Sequence, residues 1–150
     1  MLRKILLVIS VLVVTVLLFS YFSKNKTIHK DYIFKGESSH WIGEYVFKGT
    51  EKWKEKNKRT TLSSESRYTL AIKYKGDLSE LASVKNLSYF YQTSLGSGSG
   101  ETLEFDESPN QILFTISGGG TTTMNKDEVI EVTVKWDSFE ESFELRSTGK

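Results

Sequence analysis

Glu37, Ser38, Ser39 and His40 stand side by side in GESSHWIGEYVF, residues 36–47, and are the residue types of a hydrolase triad. A triad works when a serine, a histidine and an acid converge, usually from separate loops, so that the imidazole takes the hydroxyl proton. Here the four are consecutive. In an extended segment neighbouring side chains leave on opposite faces, so Ser39 and His40 diverge. The stretch reads as the polar lead-in to a strand, with Trp41, Tyr45 and Phe47 as its core-facing row.

Other clusters carry different chemistry. SLGSGSGETLEF and SGGGTTT are rich in glycine. A phosphate-binding loop needs a Lys-Ser/Thr ending and a helix whose N–H groups meet the phosphate. Gly96, Gly98 and Gly100 lead instead into the strand-like TLEF, and Gly118 to Gly120 join two strands, so both stretches read as hairpin loops. KGTEKWKEKNKR holds six basic residues and two glutamates. It predicts a basic turn in which Lys52, Trp53, Lys54, Lys56, Lys58 and Arg59 form a candidate binding surface. Lysines on a hairpin also guard a strand edge against pairing, whereas near an anionic surface each adds about 1 kcal/mol of attraction. Asp106, Glu107 and Asn110 offer hard oxygens suited to calcium, but their spacing fits no EF-hand loop and Pro109 favours a turn. Phe90 and Trp53 are the aromatics expected outside the core.

Composition narrows the field. The 150 residues contain no cysteine and two histidines, which excludes disulfides, thiolate metal sites and a cysteine nucleophile. A formal charge of +1 gives no field for a polyanion such as nucleic acid. No cofactor is implied.

These residues need elements to position them. Arg3 and Lys4 precede eighteen uncharged residues, Ile5 to Phe22, enough helix to reach roughly 27 Å across a hydrocarbon core of about 30 Å. Ser10, Thr15 and Ser20 are tolerable there because a helix lets a hydroxyl bond back to its own carbonyls. Leu18 and Tyr21 spoil the small-x-small sites a signal peptidase needs, so residues 1–22 are expected to be an uncleaved transmembrane signal-anchor. The compact positive tail favours an inside amino end and a single-pass protein of the cell membrane, with the remaining chain outside the cytoplasm. Residues 23–35 are polar and basic and read as a juxtamembrane linker, with a short strand at most.

Period-two alternation dominates residues 36–150. Tyr68, Leu70, Ile72 and Tyr74 share one face; so do Leu87, Tyr89 and Tyr91; Ile112, Phe114 and Ile116; and Ile130, Val132, Val134 and Trp136. A four-residue connection, DSFE, leads to a last strand with Phe143 and Leu145 inward. Only Asp77 to Val84 has helical spacing, and it is short enough to be a single turn. Seven or eight short strands predict an all-β domain, an antiparallel β-sandwich of immunoglobulin-like arrangement behind one N-terminal transmembrane helix.

GESSHWIGEYVF, YTLAIKYKG and IEVTVKWDSFEESFEL together resemble small anchored or lipid-modified β-sandwich proteins of Bacillus-type Gram-positive bacteria. These commonly begin near a Gly-Glu-Ser-x-x-Trp pattern and end in an Ile-x-Val-x-x-x-Trp hairpin. The similarity covers about residues 36–146. It implies an exported, anchored domain and brings no activity or site residues with it. The function expected is that of a non-enzymatic protein-interaction or envelope-associated module, one that binds a protein partner or senses envelope conditions. The alternative is a module that binds wall carbohydrate or anionic polymer through the basic turn.

Overall fold

The alternating segments form eight strands in a computed structural model that describes residues 9–18, 25–56, 59–94, 96 and 98–149, with the backbone alone for Asn25 and Lys56. In chain order they are β1 (Asn25–Glu37), β2 (Trp41–Lys56), β3 (Arg59–Tyr74), β4 (Asn86–Thr93), β5 (Gly98–Glu104), β6 (Leu113–Gly120), β7 (Val129–Trp136) and β8 (Phe139–Ser147). All pairings are antiparallel, and the order is β5-β4-β7-β8-β1-β2-β3-β6. This is one sheet, curled nearly into a barrel. Its two halves face each other: Tyr91 of β4 meets Tyr45 of β2 and Tyr68 of β3 with ring centres 4.9 and 5.3 Å apart. The single helical turn expected between strands is a 3-10 helix, Leu78–Leu81.

The bend between the halves falls where β8 meets β1. They pair only at Phe34–Ser147 and Lys35–Arg146, and the Thr148 N–H adds a bond to the Ile33 carbonyl. Two glycines paired across β1 and β2, Gly36 and Gly43, let β8 come this close. A Cβ on Gly43 would lie 2.8 Å from Leu145 Cδ2 and 2.9 Å from Phe143 Cε2, and one on Gly36 would strike the Glu144 carbonyl.

The inward rows named from the alternation are the core. Trp41, Tyr45, Phe47, Leu70, Ile72, Leu87, Tyr89, Phe114, Ile130, Val132, Val134 and Leu145 are all buried. Trp41 lies edge-on to Tyr74 and Trp136, with centres 5.2 and 5.6 Å away. Burying aromatics of this size supplies most of what a small domain has to offset its ordering entropy.

Four expectations need correction. Residues 25–35 are not a linker: they belong to β1, paired with β2 over its whole length. The inner row of β1 is Ile28, Lys30, Tyr32 and Phe34, with Lys30 interrupting the apolar pattern because Glu51 neutralises it at 2.6 Å. Most of the expected basic turn is strand: β2 runs through it to Lys56. Gly118 to Gly120 lie in β6 rather than in a loop; Gly118 opposes Tyr68, whose ring fills the space a Cβ would take. The last hairpin turns on two residues, Asp137 and Ser138, because Asp137 accepts a positive φ of 48°, which such a tight turn needs.

Among the described residues, no helix is long and apolar enough to cross a membrane. A helix covers residues 9–18, and the rest of the expected Ile5–Phe22 span lies outside the described residues. Eight of its side chains, among them Leu12, Val14 and Leu17, are large, apolar and exposed, while Thr15 bonds back to the Val11 and Leu12 carbonyls at 2.8 and 2.9 Å.

Candidate functional site

Strands β1, β2 and β3 outrun the body. Strand β6 reaches along β3 only as far as Ser66, so residues 25–29, 50–56 and 59–65 continue as a three-stranded arm. At about 3.3 Å per residue its middle strand projects roughly 25 Å. Alternation divides its side chains. Lys52 and Lys54 lie on the outer face with Thr61 and Ser63. Trp53 lies on the inner face in one row with Lys26 and Leu62. Trp53 is 36% exposed and Leu62 46%, for want of a facing sheet at this height.

The structure therefore gathers Lys52, Trp53, Lys54 and Arg59 at the arm's end. For Lys56 only the backbone is described, paired with Arg59, and Lys58 lies outside the described residues. Among the described residues, Lys26, Lys52, Lys54 and Arg59 have no carboxylate within ion-pair distance. Glu51 cannot serve them, since its carboxylate is buried against Lys30 at the arm's root. Neither Lys26 nor Leu62 was grouped with the basic turn in the sequence. Lys26 belongs to the strand that was read as a linker, and Leu62 is an isolated apolar residue among serines and threonines.

Two further sites flank the arm. Where it joins the body, His29, Asp31, Lys48, Thr50, Glu65 and Arg67 line a shallow cleft of about 210 Å³ on the outer face, with His29 Nδ1 3.2 Å from the Thr50 hydroxyl. Inside, Tyr45, Tyr68 and Tyr91 close the end of the barrel around a cavity of about 50 Å³, covered by Thr122 and Met124. The Tyr91 hydroxyl is shared with those of Tyr45 and Tyr68. Burial pushes Tyr45 up to about 12, and it raises Tyr91 as well. A cavity that size is far below the roughly 300 Å³ of a ligand pocket.

At the opposite end the first stretch of interest does converge, on a residue that nothing in its own neighbourhood pointed to. Glu141 of β8 accepts the Ser38 hydroxyl at 2.5 Å and the His40 N–H at 3.1 Å on one oxygen, and meets His40 Nδ1 at 2.6 Å with the other. Burial pushes the Glu141 carboxyl up, but the hydrogen bonds from Ser38 and from the His40 ring and backbone outweigh it and hold the group below its usual 4.5. Ser39 takes no part. Ser38 points at the carboxylate rather than at the imidazole, and its Oγ also accepts the Trp41 N–H at 3.3 Å. The network closes the β1–β2 turn onto β8, and it lacks the serine-to-histidine bond that would activate a nucleophile.

Among the described residues no three His, Asp or Glu side chains are grouped as a metal would require. Asp106 and Glu107 sit in the bend after β5, and Ser108 is tied to the Ala82 carbonyl. Phe90 is 41% exposed, as expected; Phe139 is more so at 62%, stacked on Trp136 at the tight turn. No family model matches the chain, and neither a curated protein nor a solved structure matches it.

Proposed function

We propose that the chain is a non-enzymatic, membrane-anchored surface module whose binding element is the three-stranded arm. The observation that carries this is the exposure of Trp53 and Leu62 among unpaired basic side chains, on strands that the body's own core does not need. Exposed aromatic and cationic groups on a rigid projection are what recognition uses. The apolar helix over residues 9–18, exposed on all sides, supports the anchor, since such a helix is stable in hydrocarbon and costly in water. The two facing half-sheets support a sandwich scaffold of immunoglobulin-like kind, and the resemblance to small Gram-positive surface proteins agrees with a domain outside the cytoplasm. A second reading, wall carbohydrate or anionic polymer bound by the arm, is favoured by the exposed Trp53 standing in one row with Lys26.

The absence of cysteine makes the test direct. Thr61→Cys on the arm and Ser138→Cys at the far turn would each be treated, in intact cells, with a thiol reagent that cannot cross membranes. Labelling of S138C with protection of T61C is the expected result. No labelling of either overturns the outside placement, and equal labelling of both overturns the arm as the binding element.

A further inference from the structure

The pairing of β1 says where the arm lies relative to the chain that leads into the domain. Asn25, the first residue of β1, is opposite Lys54, and Lys54 is opposite Thr61. The domain is thus entered at the tip of the arm, two residues short of the β2–β3 turn, and not at the body. Only six residues, Phe19 to Lys24, separate Asn25 from the apolar helix, and they span at most about 25 Å when fully extended. Any surface that holds the apolar segment is within reach of the tip.

Charge is divided the same way. Residues 25–29 and 50–65 hold six basic and three acidic residues, whereas the rest of the chain from Ser23 holds twelve basic and sixteen acidic ones. The domain is a dipole with its positive pole at the tip. The acidic Asp77, Glu80, Asp137, Glu140 and Glu141 gather around the turns at the other end. Beside the positive pole stands Trp53, an amphipathic ring of the kind enriched at the boundary between headgroups and acyl chains.

We propose that the tip of the arm docks on an anionic lipid headgroup surface, that of the bilayer holding the apolar segment. Lys26, Lys52, Lys54 and Arg59 contact the phosphates and Trp53 sits at the interface. The proposal rests on the anchor reading above and gives the arm its partner. A rod about 50 Å long, the length of β2 at about 3.3 Å per residue, then stands upright, with its acidic end held away from the membrane. Exposed lysines on a flexible tether would be attracted to such a surface without orientation; three paired strands make the attraction directional.

Tryptophan fluorescence reads this in the full chain, because Trp41 is 0% exposed, Trp136 is 8% and Trp53 is 36%. The chain would be reconstituted in vesicles of phosphatidylglycerol with phosphatidylcholine, or of phosphatidylcholine alone, with a headgroup spin-labelled lipid as quencher. Strong quenching is expected with phosphatidylglycerol, falling by about half or more in phosphatidylcholine, in about 1 M salt, where screening acts within about 3 Å, and in K52Q/K54Q/R59Q. W53F should abolish it, and thermal melts would show that both variants fold. Equal quenching in all lipids and variants overturns the proposal, since the tip would then lie there by tethering alone. So does an unquenched Trp53 in a chain that floats with the vesicles, a result that leaves the anchor standing. A chain that fails to float overturns both. A soluble glycerol-phosphate polymer that displaces Trp53 from phosphatidylglycerol vesicles at low lipid excess assigns the arm to wall polymer instead.

Discussion

Replacing Glu141 with glutamine tests whether the network at the β1–β2 turn is structural. The carboxylate receives three groups, the Ser38 hydroxyl, the His40 N–H and His40 Nδ1, and its side chain is 20% exposed. A hydrogen bond to a charged group contributes about 1.5–3 kcal/mol, less where water competes, and glutamine keeps one acceptor oxygen. Glu141→Gln should therefore cost about 1–2 kcal/mol at pH 7, a fall of about 5 °C in Tm for a domain this size. The sign with pH follows from the lowered carboxyl. The folded protein holds the proton less readily than the unfolded chain, whose glutamate keeps its usual 4.5, so the stabilisation is complete well above that value. As pH falls below about 5 the unfolded chain takes up the proton first, and the contribution is lost as pH passes through the folded value. Urea unfolding of the full chain in mild detergent, followed by emission of the buried Trp41, would give both variants' stabilities at pH 7 and pH 3. The difference should shrink toward zero at pH 3. A gap that is the same at both pH values, or absent at pH 7, refutes the assignment of Glu141 as an ionised clasp.

Gly43→Val would push two methyl groups into Leu145 and Phe143, and should destabilise by about 1–3 kcal/mol in the same urea assay, with Gly43→Ala in between. Tyr91→Phe removes the hydroxyl that Tyr45 and Tyr68 share and should cost about 1–2 kcal/mol. In the unsubstituted protein, absorbance at alkaline pH should show Tyr45 ionising near 12, two units above an exposed tyrosine. Because that folded value is raised, the stability it carries is intact below about 10 and is lost as pH climbs toward 12. Lys30→Ala should cost about 3 kcal/mol, the scale for orphaning a buried charge, and Lys30→Met with Glu51→Leu should recover most of it by thermal melt.

Alternation carried most of the fold because the core is built from one face of each strand. Leu87, Tyr89 and Tyr91, or Ile130, Val132, Val134 and Trp136, sit at strict two-residue spacing and are all buried, although Thr133 on the other face of β7 is buried as well. What alternation cannot show is which strands are neighbours. The sheet order depends on long-range contacts such as Gly36 and Gly43 beneath β8, two glycines whose own neighbours in the sequence do not show what passes over them. The basic turn was legible as a cluster because charge needs no partner to be seen. Its setting was not: the arm exists only because β1 pairs along it, and β1 hides behind Lys30 on its inner row and the half-buried Ile33 on its outer one. The convergence of Ser38 and His40 on Glu141 was equally hidden, since they are about a hundred positions apart in the chain and meet only through the curl of the sheet.

The residue that obscured β1 also explains how the arm keeps its register. A slip of two residues between β1 and β2 would leave every side chain on its proper face, so face selection alone does not exclude it. It would, however, move Gly36 off Gly43 and set a side chain where β8 passes, and a slip that set Lys30 opposite Phe47 would also draw it away from the one carboxylate that offsets its burial. An apolar residue in place of Lys30 would satisfy the inner face in either register. A buried ion pair costs desolvation on both sides, and here it returns specificity, as polar residues do when they fix alignment in a core. The pairing that results is the one that brings Asn25 beside Lys54 and so sets the basic tip at the chain's point of arrival. Lys30→Met with Glu51→Leu would therefore keep the arm's stability while freeing its register. Cysteines at Thr27 and Lys52, paired in the native register, should form a disulfide less selectively over slipped pairs in that background than in the unsubstituted arm.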